Sequence, residues 1–342
     1  MNSTSNKTQL KINEFVEGVL SGNRTILARA ITLIESNSEK HTAKAQQLLQ
    51  KLISHSVSGS SKKSEGTIRI GITGAPGAGK STFIDTFGTY LCELGHKVAV
   101  LAVDPSSSLS KGSILGDKTR MENLSRHPNA FIRPSPSGGT LGGVEKKTRE
   151  SVILCETAGF DIIIIETIGV GQSEIAVRSM VDFFLLLLLP GGGDELQGIK
   201  KGSVELADAI VVNKADGDNL RLAESTKKAY EMGVHYLQPA TEGWFTRLLT
   251  VSSINNAGIE DVWKVIEEFT SQTKTSGIFQ TRRNSQLLDW THSMLNEHLK
   301  SIFYGNDKIK KILPSIEKSV LSNELTPVNA VKELLGIFLE KQ

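Results

Sequence analysis

Residues 71–82, GITGAPGAGKST, constrain the fold of this chain more than any other stretch. From Gly74 to Ser81 the string GAPGAGKS fits G-x-x-x-x-G-K-[ST] at every fixed position. The β-branched run TIRIGIT precedes it, and the helical pattern STFIDTFGTYLCELG follows. A strand, a glycine-rich loop and a helix in that order build a cradle for phosphate. The backbone N–H groups must turn inward around a polyanion, and glycine permits the dihedrals and the close approach that this requires. The helix N-terminus adds its partial positive charge. Gly74, Ala75, Pro76, Gly77, Ala78, Gly79, Lys80, Ser81 and Thr82 are therefore the phosphate-binding candidates. Lys80 reaches the outer phosphates, the Ser81 hydroxyl ligates Mg²⁺, and Thr82 donates to the inner phosphate.

The rest of the chain agrees with such a loop. TIRIGITG, KVAVLAVDP, AFIRPSP, FDIIIIET, FFLLLLLP, AIVVNKAD and LLTVSS read as strands separated by longer helical stretches. Three consecutive isoleucines, Ile163 to Ile165, leave no polar face, so that strand is covered on both sides. The expected fold is α/β, a P-loop NTPase with a mainly parallel sheet flanked by helices and with helical N- and C-terminal extensions. Ligands then lie beyond the carboxyl ends of the strands. The boundaries read as an N-terminal helical extension over 1–62, a nucleotide-binding domain over 63–272 and a helical arm over 273–342. Ile26, Leu27, Ala30, Ile31 and Ile34 share a helical face behind Asn23 or Thr25 as cap. Near the C-terminus Thr326 caps a helix opened by Pro327, with Val331, Leu334, Leu335, Phe338 and Leu339 on one face.

Asn213-Lys214-Ala215-Asp216 closes the strand AIVVNKAD as N-K-x-D, which selects guanine. Guanine presents a ring N–H and an exocyclic amine on one edge, and the Asp216 carboxylate accepts from both. Adenine has no donor at that ring nitrogen, and a buried acceptor left without its partner costs about 1–3 kcal/mol. Asn213 bonds the base and neighbouring loops, and the Lys214 stem covers the purine. Ser252, Ser253 and Ile254, after the next strand, are candidates for backbone donors to the guanine carbonyl. The ligand is thus GTP or GDP.

FDIIIIET ends at Glu166, followed by Thr167-Ile168-Gly169. Glu166 is placed to hold Mg²⁺ directly or through water, and Gly169 to offer its N–H to the γ-phosphate. Gln172 stands three residues beyond that glycine, so the group that positions the attacking water is left open. Asp104, ending KVAVLAVDP, and Asp117 are further carboxylates for the metal region. PGGGDELQGIKKG, residues 190–202, leaves a buried strand with three consecutive glycines and is a candidate moving segment. Lys80, Asp104, Asp117, Glu166 and Gly169 form the catalytic set, with Ser81, Asp104 and Glu166 as metal ligands.

VDPSSSLSKGSILGDKTRM, IETIGVGQSE and PGGGDELQGIKKG together resemble the MeaB/ArgK family, the methylmalonyl-CoA mutase-associated GTPases. The resemblance covers most of the chain, from about residue 15 to the C-terminal helices. It implies GTP hydrolysis that gates cofactor delivery to, and protects, an adenosylcobalamin-dependent acyl-CoA mutase. It further implies a homodimer built through the C-terminal helices, and a switch role for the segment carrying Asp194 and Lys200. A glutamate at position 166 is usual in this family. The lysine-first phosphate loop of some related dimeric ATPases is absent, since Ala75 stands there. Cobalamin is not expected to be held by this chain itself.

Composition narrows the alternatives. A net charge of +2, from 39 basic against 37 acidic residues, gives no general nucleic-acid footprint. The longest apolar run, seven residues from Phe183, falls far below the roughly 20 needed to span a membrane. The polar N-terminus shows no secretory signal, and the two cysteines, Cys92 and Cys155, suit free thiols in a reducing compartment. A cytoplasmic protein with no nucleic-acid or membrane partner is expected. A P-loop kinase is the main alternative. A nickel-type metallochaperone would need a Cys/His tract that the chain lacks.

Overall fold

The computed structural model describes residues 10–36, 38–57, 66–103, 121–134, 141–167, 173–191 and 201–339. Seven strands form one sheet: β1 (Ile68–Gly74), β2 (Val98–Val103), β3 (Ala130–Arg133), β4 (Ile162–Thr167), β5 (Phe183–Leu188), β6 (Ala209–Val212) and β7 (Arg247–Thr250). Their order is β3-β2-β4-β1-β5-β6-β7, and every pairing is parallel. All seven match the strands read from the sequence.

Parallel strands need long crossovers, and helices supply them. The helices in chain order are α1 (Ile12–Leu20), α2 (Arg24–Glu35), α3 (Glu39–Val57), α4 (Lys80–Glu93), α5 (Glu122–Arg126), α6 (Leu141–Thr157), α7 (Ser173–Arg178), α8 (Lys201–Glu205), α9 (Leu220–Val234) and α10 (Ile259–Thr275). Strand alternation feeds two apolar layers. On one face Ile70, Ile72, Val100, Ile162, Ile164, Phe183 and Leu185 meet Phe83, Phe87 and Leu91 of α4 and Val262, Ile266 and Phe269 of α10. On the other face Ala99, Leu101, Ile163, Ile165 and Phe184 meet Val152 and Cys155 of α6. Each isoleucine of β4 is thus buried, the even-numbered ones on one side and the odd-numbered ones on the other.

The second layer continues outward. Phe15 and Val19 of α1, Leu27 and Ile31 of α2, and Leu48 and Leu52 of α3 belong to the same apolar cluster as α6. Asn23, one of the two predicted caps, accepts from the Ile26 amide at 3.1 Å. The Arg133 guanidinium at the end of β3 pairs with Glu35, and Lys147 donates to the Glu35 carbonyl at 2.6 Å. The C-terminus of α2 is therefore tied to the carboxyl end of the sheet.

The chain divides into two compact units, residues 1–279 and 280–342. The second contains most of α11 (Ile278–Gly305), then α12 (Asp307–Leu321) and α13 (Pro327–Leu339). Asn306 caps α12 by accepting from the Lys308 and Ile309 amides. Thr326 accepts from the Asn329 amide at 3.3 Å, as the sequence predicts for a cap. The unit's core is Ile309, Ile316, Ala330 and Leu334. Of the predicted α13 face only Leu334 is buried; Val331, Leu335 and Leu339 are exposed.

Candidate functional site

The site residues gather at the carboxyl ends of neighbouring strands, where an open parallel sheet places its crevice. Residues 74–79 leave β1, Glu166 ends β4, Asn213 to Asp216 leave β6, and Val251 to Ile254 leave β7. β1 lies between β4 and β5, so the phosphate loop emerges at the middle of this row.

Two glycines of the loop are dictated by close neighbours. Gly74 has φ +155°, and a Cβ there would stand 2.4 Å from the Leu187 carbonyl oxygen of β5. Gly79 has φ +83°, and its Cβ would come within 2.8 Å of the Asn213 amide nitrogen. Between them the Ala78 amide donates to the Ala75 carbonyl at 3.1 Å and folds the loop back.

The Lys80 ammonium donates to the Gly74 carbonyl at 2.7 Å and to the Ala75 carbonyl at 3.3 Å. Burial pushes its pKa below the ordinary lysine value; the charges of Glu166 and Glu174 oppose that shift. A cation held against two carbonyls within the loop is poised to exchange them for phosphate oxygens, which are stronger acceptors. Next in the chain, the Ser81 hydroxyl donates to Glu166 Oε1 at 3.3 Å, and Glu166 is buried. A hydroxyl and a carboxylate facing each other across the loop form a hard-oxygen pair, the donor chemistry that suits Mg²⁺. Among the described residues no group of three or more His, Cys, Asp or Glu side chains forms a metal cluster. Thr82 and Pro76 are exposed beside the loop.

The guanine candidates form one knot. Asn213, almost fully buried, donates through Nδ2 to the Ala78 carbonyl at 2.9 Å. Its Oδ1 accepts from the Ser253 hydroxyl at 2.8 Å. Asn213 thus bolts the phosphate loop to the turn after β7. Lys214 sits in the left-handed region at φ 59°. The Asp216 carboxylate accepts from the Ser252 hydroxyl at 2.6 Å, and Ser252 Oγ accepts in turn from the Asn255 amide. The Ser252 amide itself donates to the Ala257 carbonyl, and the Ser253 amide points at Asn213 Oδ1. The hydroxyls of Ser252 and Ser253 thus reach Asp216 and Asn213; the Ser252 amide is engaged inside the turn and the Ser253 amide is directed at Asn213. Ile254 is exposed. Asp104, Asp117, Gly169, Gln172, Asp194 and Lys200 lie outside the described residues.

Several residues that the motifs do not single out join this region. Asp85, on α4, accepts from the Leu124 amide at 2.8 Å and from Asn123 Nδ2 at 3.0 Å. It grips the chain where that chain resumes after residues 104–120. Glu174 is buried at the start of α7, with the Ser203 hydroxyl of α8 3.5 Å away. Thr86 donates to the Ser253 carbonyl at 2.8 Å. The Thr167 hydroxyl donates to Thr73 at 2.8 Å, both side chains being fully buried. A single buried acid or threonine has no spacing signature, so no pattern in the sequence marks these contacts.

Comparison with known proteins places this geometry. Residues 27–308 match the family described as methylmalonyl Co-A mutase-associated GTPase MeaB. The chain is 44% identical over 337 residues to the mouse protein called methylmalonic aciduria type A homolog, mitochondrial, covering 98% of this chain and 81% of that one. It is 43% identical over 321 residues to GTPase ArgK of Escherichia coli, covering 94% and 95%. A solved structure described as an LAO/AO transport system kinase superposes with a TM-score of 0.76 at 35% identity, covering 96% of this chain and 99% of that one.

Proposed function

The chain belongs to the family of methylmalonyl Co-A mutase-associated GTPases, and on that premise we propose that it couples GTP turnover to the care of an adenosylcobalamin-dependent acyl-CoA mutase. It is a GTPase. In this reading the GTP- and GDP-bound forms differ in how they engage the mutase, so hydrolysis gates cofactor delivery and protects the mutase. The observation that carries the proposal is the family match across residues 27–308.

The residues divide the work as follows. Backbone amides of 74–82, Pro76 excepted, and the Lys80 ammonium hold the phosphates and neutralise charge that builds up as the γ-phosphoryl group leaves. Asp216, oriented by the Ser252 hydroxyl, accepts from the guanine edge, while Asn213 keeps base and phosphate subsites at a fixed separation. Ser81, Glu166 and Asp104 would hold Mg²⁺, which would supply neutralising positive charge at the phosphates. Asp117 and Gly169 complete the proposed catalytic set. Asp194 and Lys200 are the proposed switch residues that report the nucleotide to the partner. The helical arm after residue 272 is the proposed homodimer contact, consistent with the exposed leucines of α11 and α13.

Co-purification tests the partner directly. With a non-hydrolysable GTP analogue and with GDP, an untagged methylmalonyl-CoA mutase is expected to be retained to different extents; no retention with either nucleotide contradicts the proposal. A second reading, phosphoryl transfer to an acceptor, is favoured by the name of the 35%-identical solved structure. Labelled γ-phosphate separates the two, since a kinase labels an acceptor whereas this GTPase releases only free phosphate.

A further inference from the structure

We propose that the buried hydroxyl pair of Thr73 and Thr167 positions the end of β4 against the phosphate loop for GTP hydrolysis. The inference rests on the GTPase activity alone and is independent of any partner.

The registered β1–β4 pairs run from Ile68 opposite Ile162 to Ile72 opposite Glu166, and there the ladder ends. Thr73 and Thr167 each stand one residue past that last pair. Their bond, from Thr167 Oγ1 to Thr73 Oγ1 at 2.8 Å, joins the two strands where each gives way to functional chain. Gly74, which opens the phosphate loop and accepts from Lys80, follows Thr73 directly. Glu166, which faces Ser81, immediately precedes Thr167, and residues 168–172 continue from it in sequence.

Both threonine side chains have no solvent exposure. Valine has the shape of threonine and an equal liking for strands. Replacing both partners of a buried hydrogen bond with apolar groups of the same shape is close to neutral for stability. Core packing therefore gives no reason for hydroxyls at both positions. A directional bond between the strand ends does give one, because it carries the cross-link between β1 and β4 one residue past their last registered pair.

Affinity for the nucleotide draws on the loop amides and on the Asp216–Ser252 pair, whose contacts lie on the β6 and β7 side of the sheet. Hydrolysis requires in addition that the β4 end and the loop be in register around the γ-phosphate, and small misplacements there are costly. The hydroxyl pair should thus act on kcat and leave binding nearly untouched.

Four variants of the full chain test this: Thr167→Val, Thr167→Ser, Thr73→Val and the double valine variant. Each is assayed for kcat and KM with GTP, for GDP affinity by calorimetry and for thermal midpoint. Thr167→Val is expected to lower kcat about tenfold with KM and GDP affinity within about twofold of the parent. Thr167→Ser, which keeps the hydroxyl, should retain kcat within about twofold. The double variant, which leaves no hydroxyl unpaired and so should fold, is expected to match the single variants rather than multiply their losses. An unchanged kcat in the double variant overturns the proposal. So does a serine variant as slow as the valine one, or a loss of kcat that merely follows loss of GDP affinity and thermal midpoint.

Discussion

At the scale of single residues, the account depends on Asp216. Its carboxylate is already aimed by the 2.6 Å bond from Ser252. Replacement by asparagine exchanges one acceptor oxygen for a donor, which opposes the guanine amine and complements the carbonyl that xanthine carries at the same place. Asp216→Asn is expected to weaken GDP binding by at least about tenfold, the cost of a buried pair lost, and to favour xanthosine diphosphate over GDP. Competition calorimetry reads the ratio, and unchanged preference for GDP contradicts the base assignment. The cysteines allow a second test. Burial raises the Cys92 thiol to about 11 and holds the Cys155 thiol higher still. A raised thiol pKa means that the unreactive protonated form dominates at pH 8. Iodoacetamide is expected to label neither residue in the folded protein and both in denaturant, as read by mass spectrometry.

At the scale of elements, the strands were legible because each carries its own signal. Ile162 to Ile165 and Phe183 to Leu188 are too uniformly apolar to sit on a surface, and the sheet buries them on both faces. The phosphate loop and the N-K-x-D turn were legible because their spacing is fixed by ligand chemistry. The binding of one turn to another was not. That Ser252 and Ser253 work through hydroxyls, and that Asn213 reaches Ala78 135 positions earlier in the chain, follows only from how β6, β7 and α4 are brought together. The same holds for Asp208. Fully buried just before β6, it pairs with Arg178 of α7 at 2.8 Å and accepts from the Phe184 amide and from Thr241. It fastens α7, which begins just after residues 168–172, to the sheet. Asp208→Ala leaves the part-buried Arg178 guanidinium without that carboxylate and is expected to lower unfolding free energy by about 3 kcal/mol. Urea denaturation followed by circular dichroism measures it, and a change below about 1 kcal/mol contradicts the role.

At the scale of the whole molecule, the N-terminal helices and the nucleotide-binding sheet share one apolar layer, so the extension belongs to the compact unit that carries the site. The second unit is different in kind. Leu299, Phe303, Tyr304, Val331, Leu335 and Phe338 border an apolar groove of about 440 Å³, and Leu299, Val331 and Leu335 are each more than two-fifths exposed. These exposed apolar side chains suit the proposed homodimer contact. Leu335→Glu is expected to convert the proposed homodimer to monomer in light scattering without loss of GDP binding; a monomeric parent protein contradicts the arm assignment. The mutase remains the central claim, and steady-state GTP turnover with and without an adenosylcobalamin-dependent methylmalonyl-CoA mutase tests it most directly. The account predicts slow turnover by the isolated chain and a clear, saturable acceleration as mutase is added. A rate unaffected by mutase at any concentration would contradict it.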